Sequence, residues 1–295
     1  MQVHFHGTRG TVPSPGREHV RYGGHTACLE VICDGRSILV DAGTGLQAYG
    51  TTIPKDAPLS IDLILTHYHW DHIQGMPLFW PVYDKRTDLR IYGLKTEDVA
   101  PEQTLSHFME PPVFPVRMSD MPANIQYIDV EPGESLTIGG VSITTIGNLH
   151  PGNCLGLRFE HNGQVFVHLT DMEGLDNCSG FDPAIVALSQ DADLLNIDAT
   201  YTEEEYHGRV DGTSRHGWGH NSFEYAIKFA QKANAKHTLL THHAPEHTDV
   251  MLDAIAVEAR RLDDRVSLVV DGLVAQLENN RVDYEYPAGT QPPVS

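Results

Sequence analysis

Residues 66–75 read THYHWDHIQG, with three histidines and an aspartate inside six positions. Imidazole nitrogen and carboxylate oxygen are ligands for zinc, and they also suit manganese and iron. Alternate residues at a strand end share a face, so His67 and His69 can offer two nitrogens to one ion. Asp71 and His72, from the turn that opens the next helix, can offer an oxygen and a nitrogen to a neighbouring ion. Zinc–ligand distances of about 2.0–2.2 Å require such crowding. The competing reading is a chance group of core or solvated histidines, of which the chain has 18. Four ligand-type side chains this close are costly without a cation, which favours the ion.

The elements that must position these groups are mostly short strands. The apolar run IDLILT (61–66) predicts a buried strand that delivers the cluster at its end. LEVICDGRSILVDAG (29–43) predicts a hairpin around Asp34-Gly35, and Asn162-Gly163 marks another tight turn. IQYIDV, ESLTIGGVSITTIG and LGLRFEHNGQVFVHLTD continue the strand pattern. DHIQGMPLFWPVY starts a helix that Pro77 and Pro81 keep short. FDPAIVALSQD, SFEYAIKFAQKANA and HTDVMLDAIAVEARRLD have helical periodicity, and VSLVVDG is read as the last strand. Strands precede helices in each half of the chain. The pattern predicts an α/β fold with two sheets face to face and helices outside, a four-layer αββα sandwich. One domain is expected over residues 1–275, followed by a tail, 276–295.

Of the 295 residues, 20 are Lys or Arg and 40 are Asp or Glu, a formal charge of −20. That balance opposes a polyanionic partner. The four cysteines, Cys28, Cys33, Cys154 and Cys178, form no C-x-x-C pair and are read as reduced thiols in a cytoplasmic protein. No apolar run is long enough for a membrane span, and no secretory signal is read. GTRGTVP near the start is not followed by Gly-Lys-Ser/Thr and opens no helix, so it is not read as a phosphate-cradling loop. Its Arg9 is read as a structural group more than a contact for a substrate anion.

T-H-x-H-x-D-H after an apolar strand resembles the signature of the metallo-β-lactamase superfamily. The resemblance extends through GTRGTVPSPG, ILVDAGTG, GNLHPGNCLGLRF, HLTDMEG, NIDATY and WGHNSFEYAIKFAQKANAKHTLLTHHAPEH, in the order seen in ribonuclease Z and related phosphodiesterases. It implies the αββα sandwich and a site for two divalent metal ions, Zn2+ first, with Mn2+ or Fe2+ as alternatives. By this resemblance His67, His69 and His150 would hold one ion. Asp71, His72 and His242 would hold the other, with Asp71 counted also among the catalytic groups. Asp171 would bridge the two ions. His242 is preferred over His243 because it directly follows the strand TLLT, and His247 and Asp249 are expected near the rim. His220 would be the general acid, with Asp198 supporting it. The sequence departs from the pattern where Asn221 and Ser222 replace Ser and Thr, and where Asp198 replaces Glu.

Two such ions would activate a water at neutral pH and offset the charge of a phosphodiester. The expected function is hydrolysis of a small, anionic phosphodiester, such as a cyclic nucleotide. A thioesterase or lactonase of the same fold is the alternative, and a low-turnover sensor that keeps its metal is a second. The interval 155–170 leaves no room for the tRNA-gripping arm of ribonuclease Z, so tRNA is not expected as a partner. A homodimer is expected from the resemblance alone. Residues 106–124, rich in Pro, Phe and Met, are read as an apolar loop on the sheet, or else a lid or dimer contact.

Overall fold

The structure, a computed structural model, describes residues 1–279 and 281–290. The chain opens with β1 (Gln2–Gly7), β2 (Cys28–Cys33), β3 (Arg36–Val40), β4 (Leu59–Leu65), β5 (Thr87–Leu94) and β6 (Asn124–Val130). A second group follows: β7 (Ser135–Ile138), β8 (Val141–Asn148), β9 (Cys154–His161), β10 (Gln164–Leu169), β11 (Leu194–Asp198), β12 (Thr238–Thr241) and β13 (Val266–Leu268). The last strands, β14 (Val274–Glu278) and β15 (Arg281–Glu285), return to the first group. The sheets have the orders β15-β14-β1-β2-β3-β4-β5-β6 and β13-β12-β11-β10-β9-β8-β7. The expected αββα arrangement is what the chain forms.

The two predicted hairpins form for a local reason. Asp34 and Gly35 have φ of 50° and 76°, and so do Asn162 and Gly163. Two successive left-handed residues match the twist of the flanking strands, and Asp, Asn and Gly tolerate that conformation. Strand alternation then assigns the faces. Val3, Phe5, Val31, Ile38 and Val40 meet Leu155, Leu157, Phe159 and Phe166 of the other sheet in one buried cluster. Phe159 and Phe166 stack with centroids 5.7 Å apart. Each such ring contributes roughly 1.5–3 kcal/mol by leaving water.

The helices lie outside. They are α1 (Thr44–Gly50), α2 (Trp70–Ile73), α3 (Pro101–Phe108), α4 (Leu175–Cys178, a distorted turn), α5 (Pro183–Ser189), α6 (Glu203–Tyr206), α7 (Phe223–Lys232) and α8 (Asp249–Leu262). The hydroxyls of Ser222 and Thr248 accept from the amides of Tyr225 and Met251 and so start α7 and α8. Leu252, Ala256 and Ala259, four and three residues apart, form the buried stripe of α8.

Two expectations are corrected. The boundary at 275 falls inside β14, whose Val274, Ala275 and Gln276 pair with His4, Val3 and Gln2. Residues 276–278 and 281–285 therefore belong to the sheet, and VSLVVDG is not the last strand. The pairing of Glu278 with Arg281, and buried Leu277 and Val282 among polar neighbours, are this hairpin's local signal. Of the expected tail, residues 280 and 291–295 lie outside the described residues. The 106–124 segment packs on the first sheet: Met109, Met118 and Met121 share a buried cluster with Phe79, Leu89 and Ile91.

Candidate metal centre

The ends of β3, β4, β8, β10, β11 and β12 converge at one edge of the sandwich. β3 and β4 are parallel, β10, β11 and β12 are parallel, and β8 and β10 both run against β9. Their C-terminal ends thus open on the same side, where loops leave the strands. Asp41 follows β3, His67 follows β4, His150 follows β8, Asp171 follows β10 and His242 follows β12. Asp41, Asp171 and His242 have φ of 62°, 49° and 63°. The left-handed region is uncommon outside glycine, with Asp and His among the residues found there most. It turns each side chain back across the strand ends.

Asp171 is the hub. Its Oδ1 lies 3.7 Å from His67 Nε2 and 3.6 Å from His150 Nε2. Its Oδ2 lies 3.1 Å from His72 Nε2 and 3.3 Å from His242 Nε2. Asp71 Oδ2 completes the second side, 3.3 Å from His72 Nε2 and 3.1 Å from His242 Nε2. His69, the exposed member, puts Nδ1 2.9 Å from His150 Nε2 on the first side. His67, His69, His150 and Asp171 form one group whose ligand atoms lie within 4.8 Å of one another, and Asp71, His72, Asp171 and His242 form another. All seven residues expected as ligands are thus brought together.

The far nitrogens fix the tautomers. His72 Nδ1–H donates to Asp41 Oδ2 at 2.8 Å, and His150 Nδ1–H to the Gly219 carbonyl at 2.9 Å. Thr66 gives its hydroxyl proton to Asp41, so it accepts from His67 Nδ1 at 3.2 Å. Thr200 likewise lies 3.1 Å from His242 Nδ1. Four buried imidazoles therefore turn Nε2 towards two carboxylates. His67 Nε2 and His72 Nε2 have no hydrogen-bond partner. Buried acceptors facing acceptors are unfavourable unless a cation sits between them, and this donor set fits divalent metal.

The electrostatics differ between the two sides. Burial lowers the pKa of His67 well below its ordinary value and that of His150 to about 4, so both stay neutral. Burial also opposes charge on His72 and His242. There the carboxylates win: Asp171, Asp71 and Asp41 raise His72 well above its ordinary value, and Asp171, Asp71 and Asp198 raise His242 to about 9. The second side attracts positive charge.

His220 stands beside the hub. Its Nδ1–H donates to Asp198 Oδ2 at 2.8 Å and lies 4.0 Å from Asp171 Oδ1. Its ring stacks on His242, with centroids 4.8 Å apart. Asp198 Oδ1 accepts from the amide of Asn221 at 3.0 Å. Asn221 is used in turn, its Oδ1 accepting from the amide of Gly174. His243, the rival of His242, and the expected rim groups His247 and Asp249 each have other partners. His243 Nε2 donates to the Val269 carbonyl, His247 pairs with Glu205, and Asp249 accepts from the amides of Arg21 and Tyr22. Arg9 is fully buried and donates to the carbonyls of Gly23, Ala244 and His247, which makes it a loop tie.

Several residues were missed in the sequence. Asp41 sits in the quoted ILVDAGTG, and its place at a strand end before Ala-Gly was the available signal. Glu173 accepts the amides of Gly217 and Gly219 and the Tyr206 hydroxyl, which fixes the loop before His220. Gly219, at φ 85°, leaves room for the His150 ring: a Cβ there would come 2.1 Å from Nδ1. Gly10 does the same for His242, at 2.3 Å. The amide of Thr11 donates to Asp71 Oδ2 at 2.7 Å.

A cleft of about 400 Å³, lined by Thr11, Thr200, Tyr201, Arg215, Trp218 and His247 among others, adjoins the centre. A larger hollow of about 760 Å³ runs along β13 and β15 and shares no residue with it. No helix among the described residues is long and apolar enough to cross a membrane.

Residues 36–243 match the family model described as a beta-lactamase superfamily domain. A probable metallo-hydrolase, YhfI of Bacillus subtilis strain 168, is 27% identical over 234 residues, covering 75% of this chain and 82% of that protein. Its crystal structure has a TM-score of 0.68 at 22% identity, covering 92% of this chain and 98% of that one. A ribonuclease Z of Haloarcula marismortui is 25% identical over 336 residues, covering 94% of this chain and 97% of that protein. A diphosphatase of the PhnP family shares the fold, with a TM-score of 0.65 at 21% identity over 94% of this chain and 98% of that one. The expectation that tRNA is not a partner is not supported, since a protein named ribonuclease Z matches along nearly the whole chain. With its two facing sheets and a family match over residues 36–243, the chain belongs to the metallo-β-lactamase superfamily of hydrolases, whose fold implies binding of divalent metal.

Proposed function

We propose that the protein is a dinuclear-metal phosphodiesterase acting on a small anionic phosphodiester. The observation that carries this reading is the His220–Asp198 pair, 2.8 Å apart and set beside Asp171. Divalent metal held at the two groups would supply a water acidic enough to act at neutral pH and would offset substrate charge. Asp171 with His67, His69 and His150 would hold one ion, and Asp171 with Asp71, His72 and His242 the other. Zinc suits both donor sets.

The protein's own part is proton delivery. Asp198 fixes the His220 tautomer through Nδ1–H and stabilises the imidazolium. His220 Nε2 is then free to give its proton to the leaving alkoxide. An alkoxide needs such an acid and a thiolate does not, so the pair favours an ester of an alcohol. The adjoining cleft is within the usual size range of small-molecule sites, about 300–1,000 Å³. The ribonuclease Z relatives support phosphodiester chemistry.

The test is His220→Ala assayed on two phosphodiesters, one with an alkyl leaving group and one with p-nitrophenolate. The expected outcome is a loss of kcat of about 10²–10⁴-fold on the alkyl ester and a much smaller loss on the nitrophenyl ester. Equal losses on both would remove the general-acid assignment. Turnover of thioesters or lactones, with none of either phosphodiester, would move the chain to a carbonyl-ester hydrolase.

A further inference from the structure

A second group of ligand-type side chains meets on the outer face of the first sheet. His4 and His6 are alternate residues of β1, so they share a face, while Val3 and Phe5 between and beside them enter the core between the sheets. β2 places Glu30 directly opposite His4 in register. The Glu30 side chain is only 7% exposed, that of His6 17% and that of His4 27%. One ligand atom from each lies within 4.8 Å of the other two.

The distances decide what the group suits. His6 Nε2 lies 3.4 Å, and His4 Nδ1 3.6 Å, from the same oxygen, Glu30 Oε2. Good hydrogen bonds of this kind are about 2.7–3.2 Å long. Ligands placed tetrahedrally at about 2.0–2.2 Å from one zinc ion are about 3.3–3.6 Å apart. A neutral His6 donating to a buried carboxylate accounts for one contact. It does not account for His4 turning Nδ1 to the same oxygen. The nearest partner of His4 Nε2 is Gln2 Oε1, at 3.3 Å on the same face. That contact is also longer than a good hydrogen bond, so neither ring nitrogen of His4 has a well-formed partner. The Tyr49 ring of α1 lies 4.9 Å from the His6 ring and closes one side.

We propose that His4, His6 and Glu30 form a mononuclear site for a divalent transition-metal ion of the zinc class, with a fourth position left to water. It shares no residue with the Asp171 centre and does not depend on the function proposed above. It would clip β1 to β2 on the outer face of the sheet.

The test is zinc stoichiometry of protein carrying no affinity tag, stripped of metal, dialysed against buffered Zn2+ and measured by mass spectrometry of the element. Wild type is expected to hold one equivalent more than the double variant His4→Gln/His6→Gln. The same difference of one is expected in an Asp171→Ala background, which separates this site from the other centre. The single variant His4→Gln, at the most exposed of the three positions, serves where the double variant does not fold. Circular dichroism of the metal-free proteins checks folding. Hydrolysis of bis(p-nitrophenyl) phosphate is expected to be unchanged in either variant. Equal zinc content in wild type and in a folded variant would overturn the site.

Discussion

Asp41 touches no substrate, yet it accepts from His72 Nδ1 and from the Thr66 hydroxyl, which supports His67. One carboxylate thus orients an imidazole on each side of Asp171. Loss of such a partner typically costs 10–100-fold in metal affinity. Asp41→Asn is expected to weaken zinc binding by about that factor, read by competition with a chelating dye, and unchanged affinity would remove Asp41 from the account. At this scale the sequence was most legible where ligands are adjacent, as from His67 to His72. His150, Asp171 and His242 came only from the resemblance, because residues far apart in the chain meet through the fold. Asp41, Glu173 and Thr200 were hidden because a carboxylate or hydroxyl serving a histidine looks like any turn residue.

Glu205 shows how an element stores pH dependence. It closes the capping box of α6 with Thr202 and accepts from His247 Nε2 at 2.9 Å. Burial opposes its charge, but His247 and the Thr202 donors outweigh that and lower its pKa to about 2 from 4.5. A depressed folded-state pKa contributes stability above the unfolded value that is lost as pH falls. The stability gap between wild type and Glu205→Gln, measured by urea unfolding of metal-free protein, is therefore expected to shrink as pH drops from 6 towards about 3. A gap independent of pH would contradict the pairing. The edge hairpin gives a second prediction. Leu277 and Val282 are buried, so deleting residues from 276 onward is expected to cost roughly 3–6 kcal/mol, at about 1.5–3 per side chain. A loss under about 1 kcal/mol in urea would show that the hairpin does not belong to the folded unit. Its strands are hard to read because they are short and their alternation, Leu277 and Val282 against polar neighbours, is brief, while the pairing of β14 to β1 joins opposite ends of the chain.

The whole molecule explains why the site sits where it does. Two sheets of mixed direction expose the C-terminal ends of six strands along one edge, and loops there bring ligands from both halves onto Asp171. Apolar alternation and two Asp-Gly or Asn-Gly turns made the sandwich readable, while strand order was not, since β14 joins β1 across the chain. The acidic surface, with a formal charge of −20, is in keeping with a protein that concentrates cations. The central proposal is that Asp171 would serve two ions as one working unit. The most direct measurement is the rate of bis(p-nitrophenyl) phosphate hydrolysis as Zn2+ is added stepwise to metal-free His4→Gln/His6→Gln protein, with bound metal counted at each step. The account predicts that activity rises until two equivalents are bound and is lost in Asp171→Ala. Full activity at one equivalent, or none with two bound, would contradict it.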